Sequence, residues 1–256
     1  MLKRKKILLS RESRNQKAKN IIFVLGDGMG VSTLTAARIF VGQQQSLLGE
    51  EYALSFEEFP HTALIKTYNV DLQTPDSAGT MTALMTGVKT DEGIISLPAS
   101  VIRGDCGSIS PQDITLPTLL DIAKAKGKST AVVTTARITH ATLATTYAHS
   151  VDRNWESDDA IPQVAKDLGC KDIAAQLVAD KGRSVDMILG GGRRHFLPKD
   201  EGGKRLDGNN LIAQWQNQGG RYVDSLADLQ QLMSQEKSEQ EPFSVEVSKK
   251  APPVLG

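Results

Sequence analysis

Residues Leu116–Thr135 read L-P-T-L-L-D-I-A-K-A-K-G-K-S-T-A-V-V-T-T, a helical pattern that runs into a strand pattern. Leu116, Leu119, Leu120 and Ala123 fall at i, i+3, i+4 and i+7, which lines one face of a helix, and Gly127 ends it. Ser129–Thr135 is then short and rich in β-branched residues, as a strand requires. Upstream, His61–Tyr68 (H-T-A-L-I-K-T-Y) predicts another strand. Asn20–Leu25 (N-I-I-F-V-L) predicts a third, stopped by G-D-G-M-G and followed by a helix over Val31–Val41. Downstream, Lys171–Lys181, Asn209–Gln218 and Ser225–Met233 read as helices, with strands at Val185–Leu189 and Arg221–Val223 between them. Strand and helix alternate throughout, so the expected fold is α/β, a doubly wound, mostly parallel sheet with helices on both faces.

Between two of these elements lies T-P-D-S-A-G-T-M-T-A-L-M-T-G-V-K-T-D-E-G, Thr74–Gly93. Pro75 disfavours helix before it, Asp76 is a good cap, and Ala78–Met85 favours helix, so Ser77 is expected in the first turn. There the unpaired N–H groups and the helix dipole favour an anion. A free serine is a poor nucleophile, so catalysis at Ser77 needs a neighbouring base or a metal ion; otherwise Asp76 and Ser77 simply cap a buried helix.

The other chemistry sits at predicted strand ends, where open α/β sheets gather their sites. Asp27 follows the first strand inside Gly26-Asp27-Gly28-Met29-Gly30. A nucleotide loop is disfavoured there, because G-x-G-x-x-G fails at Val31 and Asp27 puts a negative charge where phosphates would lie. Asp27 reads either as a metal ligand or as a turn aspartate. Arg137–Trp155 (R-I-T-H-A-T-L-A-T-T-Y-A-H-S-V-D-R-N-W) is rich in hydroxyls and follows another strand end. In it His140 and Thr142 could face a metal, and Arg153 could hold an anion with its planar fork. Each also has a plain structural reading.

The chain of 256 residues carries 30 basic and 30 acidic side chains, so no whole-chain positive bias points to nucleic acid. Eight of its basic residues fall within residues 1–19, read as a basic, disordered tail preceding an α/β region over 20–256. The only apolar run in that tail, Ile7–Leu9, is too short for a signal-peptide core, and no stretch is long enough to span a membrane. Cys106 and Cys170 are the only cysteines and lack C-x-x-C spacing, which leaves two buried thiols or one bridge open.

Taken together, G-D-G-M-G, P-D-S-A-G-T-M-T-A-L-M-T-G-V-K-T, T-H-A-T-L-A-T-T-Y-A-H-S-V-D-R-N-W, D-M-I-L-G-G-G-R and R-L-D-G-N-N-L, in this order, resemble the alkaline phosphatases over roughly Asn20–Val223. The resemblance implies phosphomonoester hydrolysis by way of a phosphoserine at Ser77, with Arg153 gripping the phosphate oxygens. It further implies zinc and magnesium as cofactors, Asp27 bridging the two metals, Thr142 as a magnesium ligand and His140 near the magnesium. It makes Cys106 and Cys170 a pair bridged in some members. Small phosphomonoesters would be the substrates, the full-length protein would be a homodimer, and the location would be periplasmic or extracellular.

One departure matters. Most zinc ligands of this family lie in a later half that has no counterpart here, and the four histidines, His61, His140, His149 and His195, include no closely spaced pair. The chain is therefore expected to be an N-terminal portion with incomplete metal sites, inactive by itself. The alternative is a non-catalytic α/β module that binds phosphate or a partner.

Overall fold

In the computed structural model, which describes residues 18–110, 116–179, 185–238 and 254–255, the chain divides into two units, Met1–Lys66 and Thr67–Gly256. Apart from Ala18 and Lys19, the basic tail lies outside the described residues. The expected helix of the first unit forms as α1, Val31–Gln44. A short 3-10 turn, Ser55–Glu58, follows, and its Glu57 carboxylate pairs with Arg38 of α1. The hydrogen bond from Arg38 holds Glu57 down at a pKa of about 2.

Two strand expectations fail. Residues 20–25 and 61–68 are irregular, and Ile21, Ile22 and Val24 are more than four-fifths exposed. Apolar β-branched residues favour a pleated backbone, but a strand forms only where a neighbouring edge pairs its N–H and C=O groups. No described strand pairs with either segment.

In the second unit, α2 spans Ser77–Thr86 and α3 spans Leu119–Ala125. Leu116 was expected within the latter, but Thr118 is the cap. Its hydroxyl accepts from the Asp121 N–H at 3.2 Å and the Asp121 carboxylate accepts from the Thr118 N–H at 2.9 Å, so helix begins only at Leu119. Strand β1, Ala131–Arg137, leads into the short α4, Ala141–Ala144. Then come α5, Gln163–Asp167; α6, Ile173–Ala179; β2, Met187–Gly191; α7, Leu211–Asn217; β3, Arg221–Tyr222; α8, Leu226–Ser238; and β4, Val254–Leu255.

Among the described residues four strands form one parallel sheet in the order β1-β2-β4-β3. Ala131, Val132 and Val133 stand opposite Met187, Ile188 and Leu189, and after a shift of register Arg137 stands opposite Gly191. Parallel neighbours cannot be joined by tight hairpins, and each connection between consecutive strands includes at least one helix among its described residues. The fold is α/β, as expected. The main core joins Ile188 of β2, Leu177 of α6, Ile212 and Trp215 of α7, and Ala78 of α2. Trp215 is completely enclosed, and its indole N–H donates to the Arg221 carbonyl at 3.0 Å. A Cβ at Gly220 would lie 2.2 Å from that indole nitrogen, so α7 can close onto β3 only through glycine.

A second core, with Ile94, Leu97, Val101, Val151 and Trp155 at its centre, backs the loops that end at Arg153. Cys106 and Cys170 pack against it and form a disulfide across a sequence separation of 64 residues. Closing so long a loop in the unfolded chain stabilises the fold by about 4 kcal/mol in the chain-entropy description. Replacing both cysteines by serine is expected to lower stability by roughly that amount in denaturant titrations; an unchanged midpoint would show that the bridge does not constrain the unfolded ensemble. No helix among the described residues is long and apolar enough to cross a membrane.

Candidate active site

Asp76 is the hub of the site. It is the N-cap of α2, and its carboxylate accepts from the N–H groups of Ala78 at 3.2 Å and Gly79 at 2.9 Å. The same carboxylate accepts from the Asn69 amide at 3.0 Å and from Arg153 Nη1 at 2.8 Å. Burial pushes the Asp76 carboxyl up, yet the Gly79 N–H, Arg153, Asn69 and the Gly93 backbone together hold it below the usual carboxylate range. Asp76 thus stays ionised and fixes both the start of the helix and the guanidinium beside it.

Ser77 is the first helical residue and is half-buried, as the P-D-S pattern implies. One part of the expectation is corrected. The Ala78 and Gly79 N–H groups, read from the sequence as available to an anion, are spent on Asp76. The Arg153 guanidinium, bonded to the same Asp76 carboxylate, is the cation set against this helix start. Gly79 is needed for close approach, since a Cβ there would sit 2.3 Å from Asn69 Oδ1.

The structure brings Arg153 and His140 together, with Arg153 Nη2 3.2 Å from His140 Nε2. Because guanidinium nitrogens only donate, Nε2 must accept and the ring proton then sits on Nδ1. The Thr142 N–H also points at His140 Nδ1, at 3.4 Å. A neutral imidazole has one bare nitrogen, so these two bonds exclude each other, and the shorter one to Arg153 sets the tautomer. Thr142 is buried in α4. Arg153 is also fixed through its backbone, where its N–H donates to the Gly93 carbonyl at 2.8 Å. Asp27 belongs to the first unit and lies on an exposed turn closed by the Met29 N–H donating to the Gly26 carbonyl at 3.3 Å.

Among the described residues, no three His, Cys, Asp or Glu side chains converge as a metal shell. The His140 ring spends a nitrogen on the Arg153 guanidinium. The described residues therefore do not make a complete zinc site. Asn69, Gly93 and Asp76 as an Arg153 anchor are positioning groups that the sequence did not announce. Asn69 reads as an ordinary turn residue in N-V-D-L, and only the folded chain brings it to a helix cap.

The alkaline phosphatase family model matches residues 18–243. The tissue-nonspecific alkaline phosphatase isozyme of Gallus gallus is 48% identical over 209 residues, covering 77% of this chain and 40% of its own length. The cold-active alkaline phosphatase of Shewanella sp. superposes with a TM-score of 0.57 at 29% identity, covering 81% of this chain and 42% of that one. A variant of the alkaline phosphatase from TAB5, solved with magnesium bound, has a TM-score of 0.50 at 22% identity, covering 72% of this chain and 44% of that one. The chain thus spans about two fifths of the length of the curated relative it matches.

Proposed function

Since the chain belongs to the alkaline phosphatase family, we propose that it carries the nucleophile of a phosphomonoester hydrolase, with Ser77 as the phosphoryl acceptor. The observation that carries this reading is Arg153, held by Asp76 at 2.8 Å against the first turn of the helix that begins at Ser77. A phosphate beside Ser77 would take up the guanidinium fork, which suits the equatorial oxygens in the transfer. The Ser77 oxygen forms a bond to phosphorus as the bond to the leaving alcohol breaks; water then cleaves the phosphoserine and restores the serine.

Zinc and magnesium would supply an activated oxygen nucleophile and charge stabilisation in such chemistry. The carboxylate of Asp27 and the hydroxyls of Ser77 and Thr142 are this chain's proposed contributions to holding them, with the ring of His140 beside the magnesium and bonded to Arg153. With three donors of mixed kind and no completed shell among the described residues, the 256-residue chain should turn over little substrate. The proposed substrates are small phosphomonoesters, and a homodimer is proposed at full family length. An oxidising location, periplasmic or extracellular, is supported by the Cys106–Cys170 bridge.

The test is hydrolysis of a phosphomonoester at alkaline pH with zinc and magnesium, by this chain and by one extended to family length. Activity confined to the extended chain is expected. No activity in either overturns the phosphatase reading and leaves the phosphate-binding module, which the incomplete shell favours. Comparable activity in both would show that the metal ligands have been misassigned.

A further inference from the structure

A carboxylate outside the Ser77 cluster ties together the two segments that build it. Glu156 follows Arg153 by three residues, on a loop anchored to the start of α6 by the Ile173 N–H donating to the Trp155 carbonyl at 2.9 Å and the Ala174 N–H donating to the Glu156 carbonyl at 3.2 Å. Its side chain is 15% exposed. Oε2 accepts from Arg137 Nε at 2.7 Å and from Thr139 Oγ1 at 2.6 Å, while Oε1 accepts from Arg137 Nη2 at 2.8 Å. Arg137 is the last residue of β1, Thr139 is completely buried, and the next residue is His140, which meets Arg153. One carboxylate thus joins the segment carrying His140 and Thr142 to the loop carrying Arg153.

The remaining neighbour of this carboxylate is His195, with Nε2 3.3 Å from Glu156 Oε2. Ser157 Oγ donates to Asp159 at 2.5 Å, so at the 2.9 Å contact between Ser157 Oγ and His195 Nδ1 the ring is the donor. Burial pushes the His195 pKa down, which keeps the ring neutral near pH 7 with its bare Nε2 accepting from Arg194 Nε at 3.3 Å. Glu156 is therefore held by Arg137 and Thr139.

We infer that Glu156 is a positioning residue for phosphate capture, setting the orientation of the Arg153 fork through the Arg137–Thr139–His140 segment without touching the phosphate. The inference rests on the reading of Arg153 as the phosphate-gripping residue. It requires glutamate at this position, because every group held by the two side-chain oxygens is a donor. A glutamine of the same shape would turn an NH2 group toward at least one of them. A surface ion pair with no such role would contribute little and would not communicate with phosphate.

The experiment uses the 256-residue chain and inorganic phosphate as the probe, titrated calorimetrically into the parent, E156Q, R153A, R153K and the E156Q/R153K double variant. E156Q is expected to weaken phosphate binding about tenfold. In the R153K background, where an ammonium on a flexible stem has no planar fork to orient, the same change should alter affinity less than twofold. An undiminished affinity in E156Q, or an equal loss in both backgrounds, overturns the inference. Should E156Q fail to fold, Thr139→Val removes a single donor; its expected effect is about threefold in the parent and none in R153K, and any other pattern overturns the proposal. The two failures are distinguishable. R153A binding phosphate as tightly as the parent overturns the reading of Arg153 and this inference with it. Loss of binding in R153A beside unchanged binding in E156Q overturns this inference alone.

Discussion

Ser77→Ala, made in a chain extended to family length, is expected to lower phosphomonoester hydrolysis by roughly 10³-fold or more, because the acceptor of the first transfer is gone. Labelled phosphate trapped at acid pH should mark the peptide containing Ser77 in the parent and leave the variant blank. The geometry makes this a clean substitution. The cap of α2 is Asp76, whose carboxylate already accepts from Ala78 and Gly79. Alanine at the next position is a good helix former and removes no capping group. The thermal midpoint should therefore hold while labelling disappears. Label at the same peptide in the variant would transfer the nucleophile to another residue.

Arg205→Met is expected to cost about 3–5 kcal/mol, roughly 10 °C of thermal midpoint for a domain of this size. Arg205 is 2% exposed, and its guanidinium donates to Asp172 at 3.0 Å from both Nη1 and Nη2, to Asp207 at 3.1 Å from Nε and to the His195 carbonyl at 3.3 Å. Asp158 lies 3.8 Å away and is itself buried. Burial works against the charge of Arg205, but Asp172 and Asp207 raise its pKa above the ordinary value. Methionine fills similar space and leaves the Asp172 carboxylate in the interior without the cation it pairs with, while Asp158 keeps Lys166 at 3.8 Å. A companion Asp172→Asn change should recover part of the loss, since the stranded negative charge is then removed. A single variant as stable as the parent would show that water reaches these carboxylates.

Where the sequence is legible, the signal is local. Pro75, Asp76 and the small residues after Ser77 state a helix start in consecutive positions, and α2 begins there. The runs read as strands at Ser129–Thr135 and Val185–Leu189 become Ala131–Arg137 and Met187–Gly191 because each supplies the other with an edge. Asn20–Leu25 has the same composition and forms no strand, because propensity does not supply an edge to pair with. β4 is the converse: two residues in P-P-V-L become a strand only because β2 and β3 flank them. The site divides the same way. Arg153 and His140 were named from their motif, and they meet at 3.2 Å. Glu156 and Arg205 look like surface charges in W-E-S and K-R-L; Glu156 finds Arg137 and Thr139, 19 and 17 positions back, and Arg205 finds Asp172, 33 positions back, besides its near neighbour Asp207, so a local window does not announce their burial.

The amide of Asn69 has a consequence for how this molecule would age. Its NH2 group faces the Asp76 carboxylate and its oxygen lies against Gly79, in a site only 2% exposed. Hydrolysis of that amide by water, with release of ammonia, would replace the NH2 group by a hydroxyl and set two carboxyls at 3.0 Å, where their repulsion works against ionising both. The competition would be for the charge that holds the Arg153 guanidinium. A preparation stored warm would thus loosen the Arg153 fork proposed to grip phosphate, through damage at a residue that is no part of that grip, with a mass gain of about one dalton as the sign.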